Sequence, residues 1–479
     1  MITMTLAEVA AAVDGRTHRA AGTEPVTGSV EFDSRKVTPG GLFVALPGER
    51  VDGHDYAAAA HAAGAAAVLA ARAVDAPAVL VGAPGEDPER AVLGALSRLA
   101  AHVVRRLPGL EVVGLTGSSG KTSTKDLVAA VLRRLGPTVA PPGSFNNEIG
   151  HPWTVLRADE HARHLVLELA ARRVGHIAAL CTVAPPRVGA VLNVGSAHLG
   201  EFGSPEAVAT AKGELVEALP AAPDGGVAVL NADDPRVAAM AARTEARVVT
   251  FGSSGDLRAV KVTLDEAGRP RFRLVTPAGE AELGLRLVGA HHVGNALAAA
   301  AVGLELGAGL DLVADVLATA EPASRWRMEV IDRPDGVTVI NDAYNANLES
   351  MRAGLEALAA VAGGRRRCWA VLGTMAELGE ITPAAHEEIG GLAARLGVRC
   401  LVAVGTGGDA ESYRAGYRAG DGEESIVVPD VAAAMEVLQE RLRPGDVVLV
   451  KASRSAGLER IAAGLLEPPV AAGPTRERS

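Results

Sequence analysis

From Val112 onward the chain switches repeatedly between short, almost uninterrupted apolar runs and segments of helical period: VVGLTG, KDLVAAVLRRLG, LVLELA, VGAVLNVG and GGVAVLNADD. Strands that are apolar along their whole length must be covered on both faces, and spacings of this size admit crossover helices. The pattern predicts a parallel sheet clad in helices and closed by the helix in HHVGNALAAAAVGLELG, around Asn295. A second alternation begins after Glu321. Its strands are GVTVINDAY, CWAVLG, CLVAVG, SIVVP and DVVLVKAS, and a helix runs to about Ala362 after the first of them. This predicts a smaller, Rossmann-like doubly wound sheet. Before Pro108, short strands and alanine-rich helices predict a small mixed α/β unit. There SVEFDSRKVTPGGLFVAL, with alternating apolar residues and a Pro-Gly-Gly turn, is expected to form hairpin-like pieces.

The expected fold class is therefore α/β in three domains, and 479 residues suffice for three real cores. A small mixed domain spans 1–108, a central parallel sheet of P-loop ATPase type 109–322, and a Rossmann-like sheet 323–467. Residues 468–479 carry turn formers and charges without periodicity and are expected to be a disordered tail.

A formal net charge of -10 and only one short basic run, Arg365–Arg367, without interleaved aromatics, argue against nucleic acid as a partner. That run is expected to be the solvated end of a connection before a strand. No apolar stretch reaches the roughly 18 residues of a membrane helix, and the amino terminus has no basic leader region, so a cytoplasmic location is expected. Cys181, Cys368 and Cys400 are far apart and each lies in or beside an apolar run, which points to buried thiols rather than disulfides or a metal site.

The first strand of the central pattern leads through EVVGLTGSSGKTSTKDLVAAVL into a helix. Backbone N–H groups of a glycine-rich turn at a helix N-terminus carry partial positive charge and suit an anion. Gly117, Ser118, Ser119 and Gly120 would wrap a nucleotide phosphate, Lys121 would add a full charge, and the Thr122 hydroxyl would ligate Mg²⁺. The loop is a variant: the strict spacing puts glycine at position 115, where this chain has Leu115 after Gly114. A lysine at a helix N-terminus opposes the dipole, so a purely structural role explains Lys121 poorly.

Glu168, His198 and Lys212 fall near strand ends of the same sheet, where ligands of open parallel sheets sit. Glu168 is either an oxygen ligand for Mg²⁺ or a strand-end acid facing solvent. His198 either ligates a second metal, orients a phosphate, or is a half-buried polar residue. Lys212 is a second phosphate anchor, a carbamylated oxygen donor to magnesium, or, as sequence alone favours, a surface lysine. In the third unit Asp342, Tyr344, Asn345 and Asn347 follow a strand, where a carboxylate would bond a ribose hydroxyl; helix caps and turns are the bland alternative. Arg327 offers a planar donor for phosphate or a surface charge.

Taken together the chain resembles the Mur ligase family over nearly its whole length, the tail excepted. The matching stretches are FDSRKVTPGGLFVALPGERVDGHDY, GLTGSSGKTSTKD, SFNNEIGHPWT, LELA, NVGSAHLGEFG, AKGEL, HHVGNALAAAA, SRWRMEV, INDAYNANLESM, VLGTMAELGE with His386 after it, and VKASRSAGLE. The resemblance implies a ligase that uses ATP and two Mg²⁺ ions to add D-alanyl-D-alanine to UDP-N-acetylmuramoyl-tripeptide through an acyl phosphate. It assigns Lys121, His198 and Lys212 to catalysis and Thr122, Glu168, His198 and a carbamylated Lys212 to the metals. Asn147, Asn295, Arg327 and Asp342 would contact the nucleotide. Asp33, Ser34 and Arg35 would grip the UDP end, and Tyr344, Asn345, Lys451, Ser453 and Arg454 would serve the peptide substrates. A monomer is expected. Two departures stand out: Thr374 where the family pattern usually has aspartate, whose role would pass to a neighbour such as Glu377, and His291-His292 where His-Asn is more usual.

The rivals are a sibling Mur ligase, a folylpolyglutamate-type ligase, and a P-loop ATPase or binding protein that ligates nothing. The first is opposed by the absence of a DNPR box; the second should lack the first domain.

Overall fold

A computed structural model of the chain describes residues 1–48 and 51–467. The expected tail at 468–479 lies outside the described residues.

The amino-terminal sheet has five strands in the order Arg16–His18, Ala78–Leu80, Ala67–Ala70, Leu42–Val44, Val30–Glu31. The hairpin expected in SVEFDSRKVTPGGLFVAL is not formed: Val30–Glu31 and Leu42–Val44 pair in parallel. Between them the Asp33 carboxylate accepts from Arg35 N and caps a single 3-10 turn, Ser34–Lys36. The Pro-Gly-Gly turn is held from two sides, Gly40 N donating to Gly64 O at 2.8 Å while Gly40 O accepts from Thr27 N and Gly28 N. The unit ends in helix Pro88–Arg105, capped by Asp87 and starting on proline, whose Val92, Leu96, Leu99 and Val103 lie on its buried face.

The central sheet has six strands, all parallel, in the order Arg247–Phe251, Val227–Asn231, Val188–Val191, Glu111–Thr116, His164–Glu168, Thr138–Val139. Its order reverses beside Glu111–Thr116, so a crevice opens beyond that strand's carboxyl end. Helix Lys121–Leu132 packs against the almost wholly buried helix His292–Glu305; a Cβ on Gly303 would lie 2.7 Å from Val131 Cγ1. Between the sheet and that second helix is an element the sequence reading passed over: an antiparallel meander of Arg258–Leu264, Pro270–Thr276 and Gly279–Gly284. It adds Phe272, Leu274 and Leu283 to the core beneath the phosphate loop's helix.

The third sheet runs Glu329–Asp332, Thr338–Asn341, Val447–Lys451, Cys368–Leu372, Cys400–Val404, Glu424–Val428. It is parallel except for its first strand, which pairs antiparallel with Thr338–Asn341. The basic run before Cys368–Leu372 is not simply solvated. Arg367 binds buried Asp446 through Nε at 2.8 Å and Nη2 at 2.6 Å, and Arg366 Nε donates to Gly445 O at 2.7 Å. All three cysteines are free and buried, and burial pushes the Cys181 and Cys400 thiols up to about 12. Among the described residues no helix is long and apolar enough to cross a membrane.

Candidate functional site

Strand Glu111–Thr116 delivers the glycine turn, and Gly120 opens helix Lys121–Leu132 at φ +78°. Asn193, at the end of the neighbouring strand, braces the turn: its Oδ1 accepts from Ser118 N and Ser119 N at 2.9 Å each, and its Nδ2 donates to Ser119 O at 3.2 Å. The Ser118 hydroxyl exchanges hydrogen bonds with the Gly195 backbone, and a Cβ on Gly117 would press on Leu192. The wrap is thus preformed. Lys121 is half-buried and curls over it, Nζ donating to Gly117 O at 2.7 Å; desolvation inside the cavity holds its ammonium below the ordinary lysine range.

Glu168 is 2% exposed, which excludes the solvent-facing alternative. Thr122 Oγ1 donates to its Oε2 at 2.8 Å and Asn146 Nδ2 to its Oε1 at 2.7 Å. A buried carboxylate beside a hydroxyl, with no cation among the described residues bound to it, is a donor set that fits Mg²⁺. Asn147 sits one residue further on; its Oδ1 accepts from Gly150 N and so stabilises the start of a helix while the residue lines the cavity. Lys125 steadies this turn, its Nζ donating to Pro141 O at 2.7 Å and Gly143 O at 3.0 Å.

His198 has φ +59° and places Nδ1 2.6 Å from Glu377 Oε2, outside hydrogen-bond alignment, and 3.8 Å from Glu201 Oε2. Burial, followed by the charge of Lys121, pushes its imidazole down to about 4, so the ring is a neutral ligand at pH 7. Lys212, expected from sequence alone at the surface, is 6% exposed on helix Pro205–Glu217. Burial, then the nearby Lys121 charge, drives its amine well below the ordinary lysine range.

The third unit supplies the opposite wall of a cavity of about 740 Å³. Asp342 Oδ1 accepts from Met328 N at 3.1 Å and its other oxygen pairs with buried Lys451, which also donates to Asn345 O at 3.0 Å. The Lys451 ammonium therefore fixes the Asp342–Asn345 turn. Arg327 stacks 4.1 Å above the Tyr344 ring with its buried Nε unpartnered, and the Tyr344 hydroxyl bonds Ser144 of the central unit. Asn295 lies behind Gly120 and shares a 3.3 Å contact with His292. Burial pushes His291 down to about 4 and His292 well below its ordinary value. Ser453 Oγ accepts from Ala376 N at 2.9 Å; Arg454 stacks on Trp326 at 4.2 Å and pairs with Glu459 at 2.7 Å.

Asp33, Ser34 and Arg35 stand outside the cavity lining, on the exposed turn of the first unit. Arg35 grips Asp33 through Nε and Nη2 at 2.9 Å each, which holds that carboxyl down at about 2. Phe32 beside them packs with Phe145 and Trp153, and Trp153 Nε1 donates to Val30 O, joining the first unit to the central one. The carboxylate beside Thr374 is Asp409, which accepts from its hydroxyl at 2.5 Å; Glu377 is turned to His198. Asn146, Asn193 and Lys125 escaped sequence reasoning, although Asn193 stands directly at a strand end facing the glycine turn, the place where such sheets hold ligands.

A preformed phosphate cradle, a buried acid next to a hydroxyl and a second α/β unit facing both define a nucleotide-dependent enzyme of the P-loop type. Three family models match: the Mur ligase family catalytic domain at 28–103, the Mur ligase middle domain at 115–303 and the Mur ligase glutamate ligase domain at 326–454. The chain is 53% identical to the UDP-N-acetylmuramoyl-tripeptide--D-alanyl-D-alanine ligase of Mycobacterium tuberculosis across 97% of this chain and 98% of that one. A crystal structure of MurF from Acinetobacter baumannii superposes with TM-score 0.85 at 30% identity, covering 97% and 99% of the two chains. MurF ligase from Thermotoga maritima in complex with ADP superposes with TM-score 0.77 at 31% identity, covering 91% and 97%. The chain belongs to the Mur ligase family.

Proposed function

We propose that the chain joins D-alanyl-D-alanine to UDP-N-acetylmuramoyl-tripeptide at the expense of ATP, a step of peptidoglycan precursor synthesis. The observation that carries this reading is one cavity in which the phosphate cradle and Glu168 face Arg327, Asp342 and Tyr344 of the third unit, in a chain 53% identical to a ligase of that name. A carboxylate is a poor electrophile, so the γ-phosphoryl group passes to the tripeptide's terminal carboxylate and ADP leaves. The dipeptide amine then attacks the acyl phosphate carbon, the tetrahedral adduct collapses, and inorganic phosphate departs with formation of the amide. Positioning and charge neutralisation supply most of the acceleration.

In this reading residues 109–322 hold the triphosphate, 323–467 close over it and bring the dipeptide, and 1–108 grip the UDP end through Asp33, Ser34 and Arg35. Lys121 meets the β and γ phosphates by leaving the Gly117 carbonyl. Asn147, Asn295, Arg327 and Asp342 orient the nucleotide; Tyr344, Asn345, Lys451, Ser453 and Arg454 shape the peptide side. Thr122 and Glu168 would hold one Mg²⁺ ion and His198 and Lys212 would serve a second, and such ions would neutralise the phosphate charge. The depressed basicity of Lys212 favours the unprotonated amine, which carries the lone pair that carbamylation needs. Attack on CO₂ forms the N–C bond, releases one proton and yields a carbamate oxygen donor. Since ATP and nucleotide-linked precursors meet in the cytoplasm and one chain completes the cavity, a cytoplasmic monomer is the matching form.

ATP consumption measured with UDP-N-acetylmuramoyl-tripeptide, scanning D-alanyl-D-alanine, single amino acids and glutamate as acceptors, tests the reading. Phosphate release should require both the tripeptide and the dipeptide. Release without either would favour a non-ligating ATPase, and glutamate dependence a folate-type ligase. Lys212→Ala should be slow and indifferent to bicarbonate, whereas the parent should respond to its removal.

A further inference from the structure

Helix Leu348–Ala362 of the third unit begins against the central unit, and its first turn carries Glu349. Both carboxylate oxygens of Glu349 leave their own helix: Oε1 accepts from Ser196 N and Oε2 from Ser196 Oγ, at 2.9 Å each. The fit is close, since a Cβ on Gly195 would sit 2.6 Å from the Glu349 carboxyl carbon. Ser196 lies two residues before His198, on a connection whose other end, Asn193, braces the phosphate turn. Next to Glu349, Asn347 donates through Nδ2 to Ser118 O at 3.2 Å while its Oδ1 caps the helix at Ser350 N. The end of one unit's helix therefore holds both the phosphate turn and the histidine loop of the other.

An acidic residue in a helix's first turn ordinarily serves the helix dipole. Here the cap is already supplied by Asn347, and the Glu349 carboxylate is used up by two donors of a different unit. We propose that Glu349 is a positioning residue: by holding both donors of Ser196 it makes docking of the third unit set the His198 loop for phosphoryl transfer. This rests on the ligase reading only in the role given to His198.

The test is a double-mutant cycle on turnover at saturating substrates, with Glu349→Ala, Glu349→Gln, Ser196→Ala and the Glu349→Ala/Ser196→Ala pair. Two charge-assisted hydrogen bonds correspond to a loss of at least roughly hundredfold in Glu349→Ala when their full strength is felt in turnover. Glu349→Gln should recover most of it, because its amide oxygen still accepts from Ser196 N and its NH₂ donates to the hydroxyl. The pair should be no slower than Glu349→Ala alone. Thermal unfolding of each variant separates misfolding from mispositioning, and Glu349→Gln, which keeps the shape, remains informative if the alanine variant is unstable. Turnover of Glu349→Ala within twofold of the parent, or a pair whose loss is the product of the single losses, would overturn the proposal. If the parent released phosphate without forming amide, the ligase reading would fail instead, and the same cycle followed by phosphate release would still judge Glu349.

Discussion

Gly120 shows how little latitude the phosphate turn has. It stands at φ +78°, and any Cβ would come 2.5 Å from Asn295 Oδ1. Gly120→Ala should therefore weaken ADP binding by at least roughly tenfold, from left-handed strain and the displaced Asn295 together; titration calorimetry showing unchanged affinity would contradict this. His151 presents the opposite case, a group with no place for a charge. Both ring nitrogens are buried without a hydrogen-bond partner, and burial, only partly opposed by the Leu180 backbone, pushes the imidazole down to about 4. The unfolded chain takes up that proton near pH 6.5, so between those values it binds more protons than the folded chain. Stability is then complete above about pH 6.5 and falls as the pH drops toward 4, by on the order of 3 kcal/mol for this one residue. Urea unfolding at pH 7.5 and pH 5 should show a smaller acid loss for His151→Leu than for the parent.

At the scale of elements, Asp446 anchors the third sheet. It is 2% exposed and accepts from Arg367 Nε and Nη2, from Trp369 Nε1 at 3.1 Å and from Arg443 N at 2.9 Å. Asp446→Ala leaves the buried Trp369 and Arg443 donors unpaired and a half-exposed guanidinium to water, at a cost of roughly 2 to 3 kcal/mol, whereas Arg365→Ala, at an exposed position, should stay within about 0.5 kcal/mol of the parent. Denaturant midpoints for the two variants that did not separate would refute this account. The meander at 258–284 was legible in principle, because apolar and polar residues alternate along the first five residues of Pro270–Thr276. The pairing direction of Val30–Glu31 with Leu42–Val44 was not, since it depends on where the intervening turn docks.

For the whole molecule, the site exists only where two units meet. Asn347 on Ser118, Glu349 on Ser196, Glu377 beside His198 and Tyr344 on Ser144 all cross that boundary, and Ser324 reaches back to Asp126 at 2.7 Å. Such interfaces are small and polar, and ligands that bridge them favour the closed arrangement. Small-angle scattering should show a smaller radius of gyration with ATP and UDP-N-acetylmuramoyl-tripeptide present than without them; equal values would argue that closure precedes binding.

The sequence by itself determined the three α/β units, the strands of the parallel sheets and the phosphate turn, because each is written in a local period or a local backbone demand. Tertiary structure alone decided that Glu168 and Lys212 are buried, that Asn146 serves Glu168 while Asn147 accepts from Gly150 N, and that Lys451 pairs with Asp342. It also placed Asp409, 35 positions from Thr374, at that threonine's hydroxyl. Burial and charge pairing depend on distances between residues remote along the chain, and a local pattern carries no information about those distances until the sheets have packed.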